Sequence, residues 1–217
     1  PYHHWTYAAD GRLLGCPFFG GTTPKALPEA FDPAQYGLTP VRHQVWRDWI
    51  FINWSGSAEP FTDFVAPLKA ELPAFDLAEL VPVATLDFGH VACNWKLLVE
   101  NFVEPYHVPV VHAATTDQPL DTHCLIEAPG IVGCRADLQS VTSDGSTSGV
   151  SSKYLYRFPN FIVAHYEPDE LGVHLNLPDG SRSTLQRRVI YLPRASARDS
   201  ARIEGLRMLW RRVHDED

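Results

Sequence analysis

Residues 95–112 combine helical spacing with two prolines, and this combination limits how the chain can fold there. Apolar and aromatic side chains recur at helical intervals over residues 95–106, which predicts a helix. Pro105 and Pro109 prevent one regular helix from continuing through His112, because proline lacks the amide hydrogen and clashes with the preceding turn. The sequence therefore predicts a helix that is interrupted before His112.

The same segment places Glu104, His107 and His112 within nine positions. On a helix, residues three apart share a face, whereas residues five apart are separated by about 140° around the axis. Both histidines can therefore point inward only if Pro109 interrupts the helix. Two imidazoles suit zinc, copper, iron or nickel, and a third, carboxylate ligand gives the facial arrangement of non-haem ferrous iron. The alternative without a metal is an accidental histidine pair beside a solvated Glu104.

Composition narrows the class of protein. The 217 residues are 45% hydrophobic and 12% aromatic, which favours one large packed domain, or one domain and part of another. The net charge of −8 argues against a nucleic-acid partner, since phosphate binding requires clustered Lys and Arg. No apolar run is as long as the about 18 residues that a membrane-spanning helix requires. No signal peptide is recognised.

The cysteines indicate a reducing compartment. No C-x-x-C pair occurs, and a chain of this size needs no disulfide framework. We therefore expect buried, reduced thiols and a cytoplasmic location. The four positions are Cys16, Cys93, Cys124 and Cys134.

Residues 1–56 read as part of a small β domain. A hairpin with a turn at Asp10-Gly11 and one strand over Val45–Asn53 are predicted. Residues 57–83 contain several prolines and read as a connector, with helical character over Phe61–Leu72.

Residues 84–217 read as an α+β domain with an antiparallel sheet packed on helices. Residues 113–130 are expected to be irregular, and Ser140–Ser152 is expected to be a mobile loop because it is rich in Ser, Gly and Thr. The predicted strands are Ala84–Asn94, Phe161–Tyr166, Gly172–Leu177, Thr184–Leu192 and Arg202–Val213.

The central segment also resembles a known family. The pattern N-W-K-x3-E-N-[FY]-x-[DE]-x-Y-H-x4-H, from Asn94 to His112, is similar to the catalytic signature of Rieske non-haem iron ring-hydroxylating oxygenases, in their α (catalytic) subunit. The resemblance implies a helix-grip (START-like) fold for residues 84–217. It also implies a substrate cavity, which we expect to be lined by Phe102, Val110, Val111 and Phe161.

The N-terminus resembles the second half of the Rieske cluster motif. Residues 1–7 followed by Asp10–Leu13 match C-x-x-H-x-W-x-Y-x2-D-G-x-L, without its Cys, and His3 falls on a cluster-ligand position. Rieske centres need two Cys and two His. The chain keeps one of these four ligands, and it ends soon after an apolar run with no helix stop, so we expect a fragment truncated at both ends. Residues 1–56 would be the C-terminal part of the Rieske domain.

Site roles follow from the resemblance. His107 and His112 would be the imidazole ligands of a mononuclear Fe(II). The family's third ligand is an Asp at the start of a C-terminal helix, often within an acidic pair, and Asp217 is our choice, with Asp215 as the alternative. Asn101 matches a helix position near the iron, although a hydrogen bond within the helix would explain it equally.

Glu104 matches the carboxylate that links a Rieske histidine of one subunit to an iron ligand of the next. Many members have Asp there. Glu occurs in some branches, including those acting on quaternary ammonium compounds, so a choline-, betaine- or carnitine-like substrate is the alternative to an aromatic one.

The implied function is an oxygenase that uses O2 and electrons from a reductase or ferredoxin, with a [2Fe-2S] cluster and Fe(II) as cofactors. A homotrimer or a larger α/β assembly is implied. Two other classes of protein are considered, a START-like module that binds an apolar ligand and a zinc hydrolase. A zinc hydrolase would require a helix with the pattern H-E-x-x-H, which the sequence lacks. The substrate, the choice between mono- and dioxygenation, and the presence of a β subunit stay open.

Overall fold

The computed structural model describes residues 2–72, 77–116, 118–141 and 147–217. The chain divides into two compact units, Pro1–Glu59 and Pro60–Asp217. The second unit contains the whole segment that matches the oxygenase signature. Within the described residues, no helix is long and apolar enough to cross a membrane.

The first unit begins with the predicted hairpin. Strand β1 (Thr6–Tyr7) pairs antiparallel with β2 (Leu13–Gly15). The turn between them places Gly11 at a φ of +88°, a conformation that glycine adopts without steric cost. The Ala8 amide donates a hydrogen bond to the Arg12 carbonyl at 2.9 Å, which closes the turn. The Asp-Gly hairpin is thus confirmed.

The single strand predicted over Val45–Asn53 is wrong. The structure has two antiparallel strands, β3 (Arg42–Trp46) and β4 (Trp49–Asn53). Arg47 and Asp48 form the turn between them, with Arg47 in the left-handed region at a φ of +58°. This backbone conformation is typical of two-residue hairpin loops. The two charged residues inside an otherwise apolar run were the signal for the turn.

A short 3-10 helix, Pro33–Tyr36, lies between the two hairpins of the first unit. The Asp32 side chain accepts a hydrogen bond from the Ala34 amide and caps this helix. Tyr36 then contributes to an aromatic cluster whose ring centroids lie 4.7–6.0 Å apart. Its other members are Trp5, Phe19 and Phe31.

One antiparallel sheet of seven strands dominates the second unit, and it confirms the α+β class. The strand order is β5-β11-β10-β9-β8-β7-β6, so the last six strands form a meander and β5 closes its far side against β11. The strands are β5 (Leu80–Val91), β6 (His123–Ala128), β7 (Ile131–Val141), β8 (Thr147–Arg157), β9 (Phe161–Tyr166), β10 (Glu170–Pro178) and β11 (Thr184–Pro193).

Two segments that were expected to be irregular contribute strands. Strand β6 lies within residues 113–130, where Pro119 and Pro129 flank the strand and do not interrupt it. Strand β8 occupies much of the segment expected to be a loop, Ser140–Ser152, and pairs along its length with β7. Pairing with the neighbouring strand β7 decides this structure, and local composition does not report it. Residues 142–146 of that predicted loop lie outside the described residues.

Helix α1 (Phe61–Glu71) confirms the helical character predicted for Phe61–Leu72. Its Val65 and Leu68 side chains are buried. The helix packs on the sheet through Arg157 of β8, whose guanidinium donates to the Phe64 carbonyl at 3.1 Å. Strand β5 begins at Leu80, so the last residues of the predicted connector already belong to the sheet.

The predicted strand Arg202–Val213 is wrong, because this segment is part of helix α4 (Ser200–Glu216). The Asp199 side chain caps the helix by accepting from the Arg202 amide at 3.0 Å. Apolar residues spaced three and four apart face the sheet core formed by β5 and β11. These residues are Ile203, Leu206 and Trp210. That spacing is helical, and it fits α4 better than the loose alternation from which a strand was predicted.

All four cysteines are free thiols. Cys16 and Cys134 are buried, as predicted, and Cys93 is half-buried. Cys124 is exposed, which the sequence did not predict. It lies on β6, an edge strand of the sheet, where the neighbouring Leu125 side chain is also exposed. Burial, together with the Glu104 carboxylate, raises the pKa of the Cys134 thiol to about 12.

Candidate metal centre and adjoining cavity

Helix α2 (Trp95–Val103) leads the chain into the candidate site. Asn94 caps its N-terminus, because the Asn94 side chain accepts a hydrogen bond from the Lys96 amide at 3.1 Å. The helix ends at Glu104, which has extended backbone angles (φ −99°, ψ 135°). The residue before a proline is disfavoured in helical conformation, so Pro105 explains why the helix stops there.

The interruption therefore lies at Glu104-Pro105, and the prediction that Pro109 breaks the helix is wrong. Pro109 sits in the first turn of the short helix α3 (Val108–Val111), where proline is tolerated because the first amides of a helix have no partner in it. His107 immediately precedes this helix and His112 immediately follows it.

The two histidine rings converge across α3. Their centroids are 5.1 Å apart and their planes are inclined at 78°. His112 is buried, and the His107 side chain is 19% exposed. The backbone between them is helical, with the Val111 amide donating to the His107 carbonyl at 2.8 Å, so the rings converge without the interruption at Pro109 that the sequence led us to expect.

Asp217, directly after α4, completes a cluster with the two histidines. Its Oδ1 atom lies 3.2 Å from His112 Nε2 and 3.9 Å from His107 Nε2. One nitrogen from each ring and one carboxylate oxygen all lie within 4.8 Å of one another. We call His107, His112 and Asp217 the metal-candidate triad.

The remaining nitrogen of each ring faces a carboxylate. The Nδ1 atom of His107 contacts Glu104 Oε1, and the Nδ1 atom of His112 lies 2.9 Å from Glu216 Oε2. With their Nδ1 atoms facing these carboxylates, the two rings present Nε2 toward Asp217. Carboxylates orient metal-binding histidines in this way, fixing the tautomer and raising the basicity of the ligand nitrogen.

Three further hydrogen bonds hold these carboxylates in place. Thr115 Oγ1 donates to Glu216 Oε2 at 2.5 Å, and Asn101 Nδ2 donates to Asp217 Oδ1 at 3.0 Å. The Tyr106 amide donates to Glu104 Oε2 at 2.6 Å. The hydrogen bond from Thr115, with that from His112, lowers the pKa of Glu216. This carboxylate therefore stays ionised as an acceptor.

The structure brings together five of the residues singled out from the sequence: Asn101, Glu104, His107, His112 and Asp217. Asp215 is exposed and does not belong to the triad. Asp217 follows the end of a helix, whereas the resemblance implied the start of one, so that expectation is wrong. His3 lies in the first unit, exposed, in the short 3-10 helix Tyr2–His4 with a φ of 51°.

Sequence reasoning missed Glu216 and Thr115. Glu216 could have been found, because the resemblance already placed the third ligand within an acidic pair and Glu216-Asp217 is such a pair. Thr115 carried no comparable signal. Its role depends on the approach of α4 to the chain after His112, and sequence spacing does not report that approach.

A cavity of about 290 Å³ opens beside the triad, within the second unit. Phe102 lines it, as expected. Val110, Val111 and Phe161 are not among the described residues that line it, so these expectations are wrong. Val110 is 82% exposed, because α3 turns that face to solvent, and Phe161 is buried in the sheet.

A second group of polar residues lines the same cavity: Glu170, His174, Arg188 and Trp210. We call this group the Arg188 cluster. Arg188 is only 3% exposed, and its guanidinium carbon lies 3.4 Å from the Trp210 ring centroid. Trp210 Nε1 donates to Glu170 Oε1 at 2.7 Å. Burial raises the pKa of Glu170, while the nearby Arg188 opposes that shift.

Comparison with known proteins identifies the family. The model for the catalytic domain of ring-hydroxylating α subunits matches residues 77–217. This chain belongs to that family. The matched residues include the whole metal-candidate triad and the Arg188 cluster, so both groups lie within the family's catalytic domain.

Two curated relatives and one solved structure illustrate the similarity. The glycine betaine monooxygenase oxygenase subunit of Pseudomonas aeruginosa is 39% identical over 107 residues, covering 49% of this chain and 23% of the relative. The choline monooxygenase of Spinacia oleracea is 30% identical over 191 residues, covering 84% and 42%. A quaternary ammonium Rieske monooxygenase structure aligns with a TM-score of 0.80 at 19% identity, covering 100% of this chain and 58% of that one. The matches thus span less than half of either curated relative.

Proposed function

We propose that this chain is the catalytic part of an oxygenase that binds mononuclear Fe(II) at His107, His112 and Asp217. The observation that carries the proposal is the convergence of one ring nitrogen from each histidine and one carboxylate oxygen within 4.8 Å. Each imidazole is oriented by a carboxylate at its other nitrogen. Membership of the family supports the same reading.

The donor set fits ferrous iron. Two neutral imidazoles and one carboxylate form the facial triad typical of non-haem Fe(II) oxygenases, which leaves coordination positions open. A structural zinc site would instead be closed by four protein ligands, usually with cysteine among them. Cys134 is the cysteine that lines this cavity, and burial keeps it protonated at neutral pH.

The chain's own residues prepare the site. Iron bound there would supply oxygen activation. Glu216 and Glu104 hold the His112 and His107 rings with Nε2 facing inward. Asn101 holds the Asp217 carboxylate, and so acts as a positioning residue. Phe102 and the other apolar residues of the cavity restrict water around the substrate.

We propose that electrons reach this site from a Rieske [2Fe-2S] cluster. His3 would be a cluster ligand, and Glu104 would connect a cluster histidine of one subunit to His107 of the next. Glu104 is suited to this role because its side chain is 36% exposed while it contacts His107. The electron donor would be a reductase or ferredoxin, and the assembly would be a homotrimer or a larger α/β oligomer.

We extend the proposal to the two units and to location. Residues 1–56 would be the C-terminal part of a Rieske domain, and residues 84–217 a helix-grip (START-like) catalytic domain. The antiparallel sheet packed against α4 supports the second assignment. The free thiols support a cytoplasmic location.

The reaction would be mono- or dioxygenation of an aromatic or other small organic substrate by O2. The alternative within the same family is a monooxygenase or demethylase for choline-, betaine- or carnitine-like compounds. The curated relatives named as glycine betaine and choline monooxygenases, and the glutamate at position 104, support this alternative.

Metal analysis of the complete protein tests the proposal. We expect iron in excess of the cluster iron, and its loss on His107→Ala, because a facial triad without one imidazole cannot hold Fe(II) tightly. The cluster absorbance should survive. The matched control is His90→Ala, since His90 is exposed and pairs with Asp179 away from the site. Full iron retention in His107→Ala, or zinc in place of iron, would contradict the proposal.

A further inference from the structure

We propose that the Arg188 cluster is a carboxylate-binding subsite, and that the substrate of this chain is a small organic acid. The inference rests on the proposed function, because it assigns the substrate of the same cavity. The inference specifies a negatively charged group on the substrate. The experiment below decides whether the rest of the molecule is an aromatic ring or a quaternary ammonium group.

The guanidinium of Arg188 is buried with unused donors. Its Nε and Nη2 atoms are inaccessible to solvent and have no partner at standard hydrogen-bond geometry among the described residues, although the guanidinium also interacts with the Tyr166 hydroxyl and opposes the rise that burial causes in the pKa of that group. A buried charged donor without an acceptor is costly, so native proteins rarely retain one without a reason. A planar fork of N–H groups matches the two oxygens of a carboxylate.

Glu170 does not fulfil this role. Its Oε1 atom lies 3.6 Å from Arg188 Nη2, which is beyond hydrogen-bond length, and that same oxygen accepts from Trp210 Nε1 at 2.7 Å. Glu170 therefore offsets part of the charge of Arg188 without saturating its donors.

The aromatic rings of Trp210 and Tyr166 already contact a cation of the protein, the guanidinium of Arg188. Arg188 lies 3.4 Å from the Trp210 ring centroid and 5.4 Å from that of Tyr166. A substrate ammonium group would have to share these faces with a guanidinium, and like charges repel. Arg188 thus disfavours a cationic group at these ring faces.

The fold makes room for the guanidinium at Gly172. A Cβ atom at this position would lie 2.7 Å from Arg188 Nη2 and 3.2 Å from Nε, closer than ordinary packing permits. The neighbouring strand β10 also supplies His174, whose Nε2 is buried without a partner. Burial lowers the pKa of His174 well below its usual value, so a neutral ring is present to donate or accept one hydrogen bond.

Arg188, His174 and the metal-candidate triad line one cavity. A carboxylate held at Arg188 would orient the rest of a small molecule within the space beside the triad. In this arrangement Arg188 is a binding residue for the substrate, and it fixes which substrate carbon faces the metal site.

Binding of matched probes tests the proposal. Calorimetry on the complete, metal-loaded protein without reductant would compare benzoate with benzamide, and glycine betaine with choline. We expect at least one carboxylate to bind about tenfold or more tightly than its partner. Arg188→Gln should abolish that preference, and Arg188→Lys should retain only part of it. Arg187→Gln is the matched control, because Arg187 is exposed and pairs with Asp87.

Gly172→Ala keeps Arg188 and should also weaken carboxylate binding, which gives a second variant if Arg188→Gln fails to fold. Equal binding within both probe pairs, no binding of either carboxylate, or an unchanged preference in Arg188→Gln would overturn the proposal. Iron analysis of the same samples separates the two proposals. A carboxylate preference without iron would refute the oxygenase alone, and iron without the preference would refute the subsite alone.

Discussion

The two polar groups of the cavity differ in how completely their atoms are paired. In the metal-candidate triad, the Nδ1 atom of each histidine faces a carboxylate, and Asn101 fixes the Asp217 carboxylate. In the Arg188 cluster, two guanidinium nitrogens and His174 Nε2 have no partner at standard hydrogen-bond geometry in the described part of the chain. The triad concentrates negative charge around a point, whereas the cluster presents N–H donors.

This difference indicates which ligand each group is built for. Carboxylates behind imidazoles prepare a site for a cation, because they raise the basicity of the ligand nitrogens. Unused donors on a buried cation prepare a site for an anion. Both groups depend on α4, which carries Trp210 of one group and is directly followed by Asp217 of the other.

Replacing Asp217 should have the largest effect and should separate the two groups. We expect Asp217→Ala to lose its mononuclear iron and nearly all turnover, since the triad loses its only carboxylate. Benzoate binding at the Arg188 cluster should persist, because Asp217 contacts the two histidines and Asn101. Iron analysis and calorimetry on one preparation measure both quantities.

Asp215→Ala is the matched control, because Asp215 lies two residues earlier and is exposed. It should keep iron at the wild-type level. Iron loss in Asp215→Ala with retention in Asp217→Ala would reverse our choice of third ligand.

Replacing Glu104 tests whether its contact with His107 serves electron transfer. We expect Glu104→Gln to retain iron and the cluster and to slow product formation roughly 10–100-fold, the usual cost of losing a residue that orients a metal ligand. The rate of cluster reoxidation in single-turnover mixing measures the step directly. Glu100→Gln, an exposed change on α2, is the control. Normal reoxidation in Glu104→Gln would remove the bridge role.

The sequence predicted the triad better than the elements that assemble it. The spacing of His107 and His112 was informative because both lie in one segment, and its two prolines required an interruption. The break was nevertheless assigned to Pro109, although Pro105 restricts the residue before it and ends α2. The strand expected in place of α4 was wrong, yet Asp217 was still chosen, because that choice relied on the acidic pair.

The Arg188 cluster could not be predicted from the sequence. Arg187 and Arg188 are adjacent in β11 and look equivalent, yet one is exposed beside Asp87 and the other is buried against Trp210. Which arginine faces inward depends on the register of β11 with β10 and β5. A shift of one residue would exchange them, and only long-range pairing fixes the register.

Replacing Glu216 should have a smaller effect than replacing a ligand. We expect Glu216→Gln to weaken iron binding about tenfold, because His112 loses the acceptor that fixes its tautomer. Titration with a competing chelator measures this change. Glu204→Gln, an exposed change on α4, is the control. An unchanged iron affinity in Glu216→Gln would show that His112 is oriented by packing alone.

The smallest predicted effect is a loss of stability at the start of α4. It should affect the metal-candidate triad and the Arg188 cluster equally. Arg202 on α4 forms a bidentate ion pair with Asp169 in the turn between β9 and β10, with one hydrogen bond of 2.9 Å. This ion pair is partly exposed, so we expect Asp169→Asn to lower the free energy of unfolding by only about 0.5–1 kcal/mol. The melting temperature should fall by about 1–4 °C, measured by circular dichroism.

The pKa of Asp169 determines how the stability difference between wild type and Asp169→Asn should change with pH. The hydrogen bond from Arg202 lowers the pKa of Asp169, so the stabilisation is complete above the usual aspartate pKa and is lost as pH falls through the lowered value. The difference between wild type and Asp169→Asn should therefore shrink below about pH 4. Asp137→Asn, which removes a more exposed pair with Arg135, should shift the melting temperature less. An Asp169→Asn variant that unfolds like wild type, yet loses iron while keeping its carboxylate preference, would show that α4 does not couple the two groups.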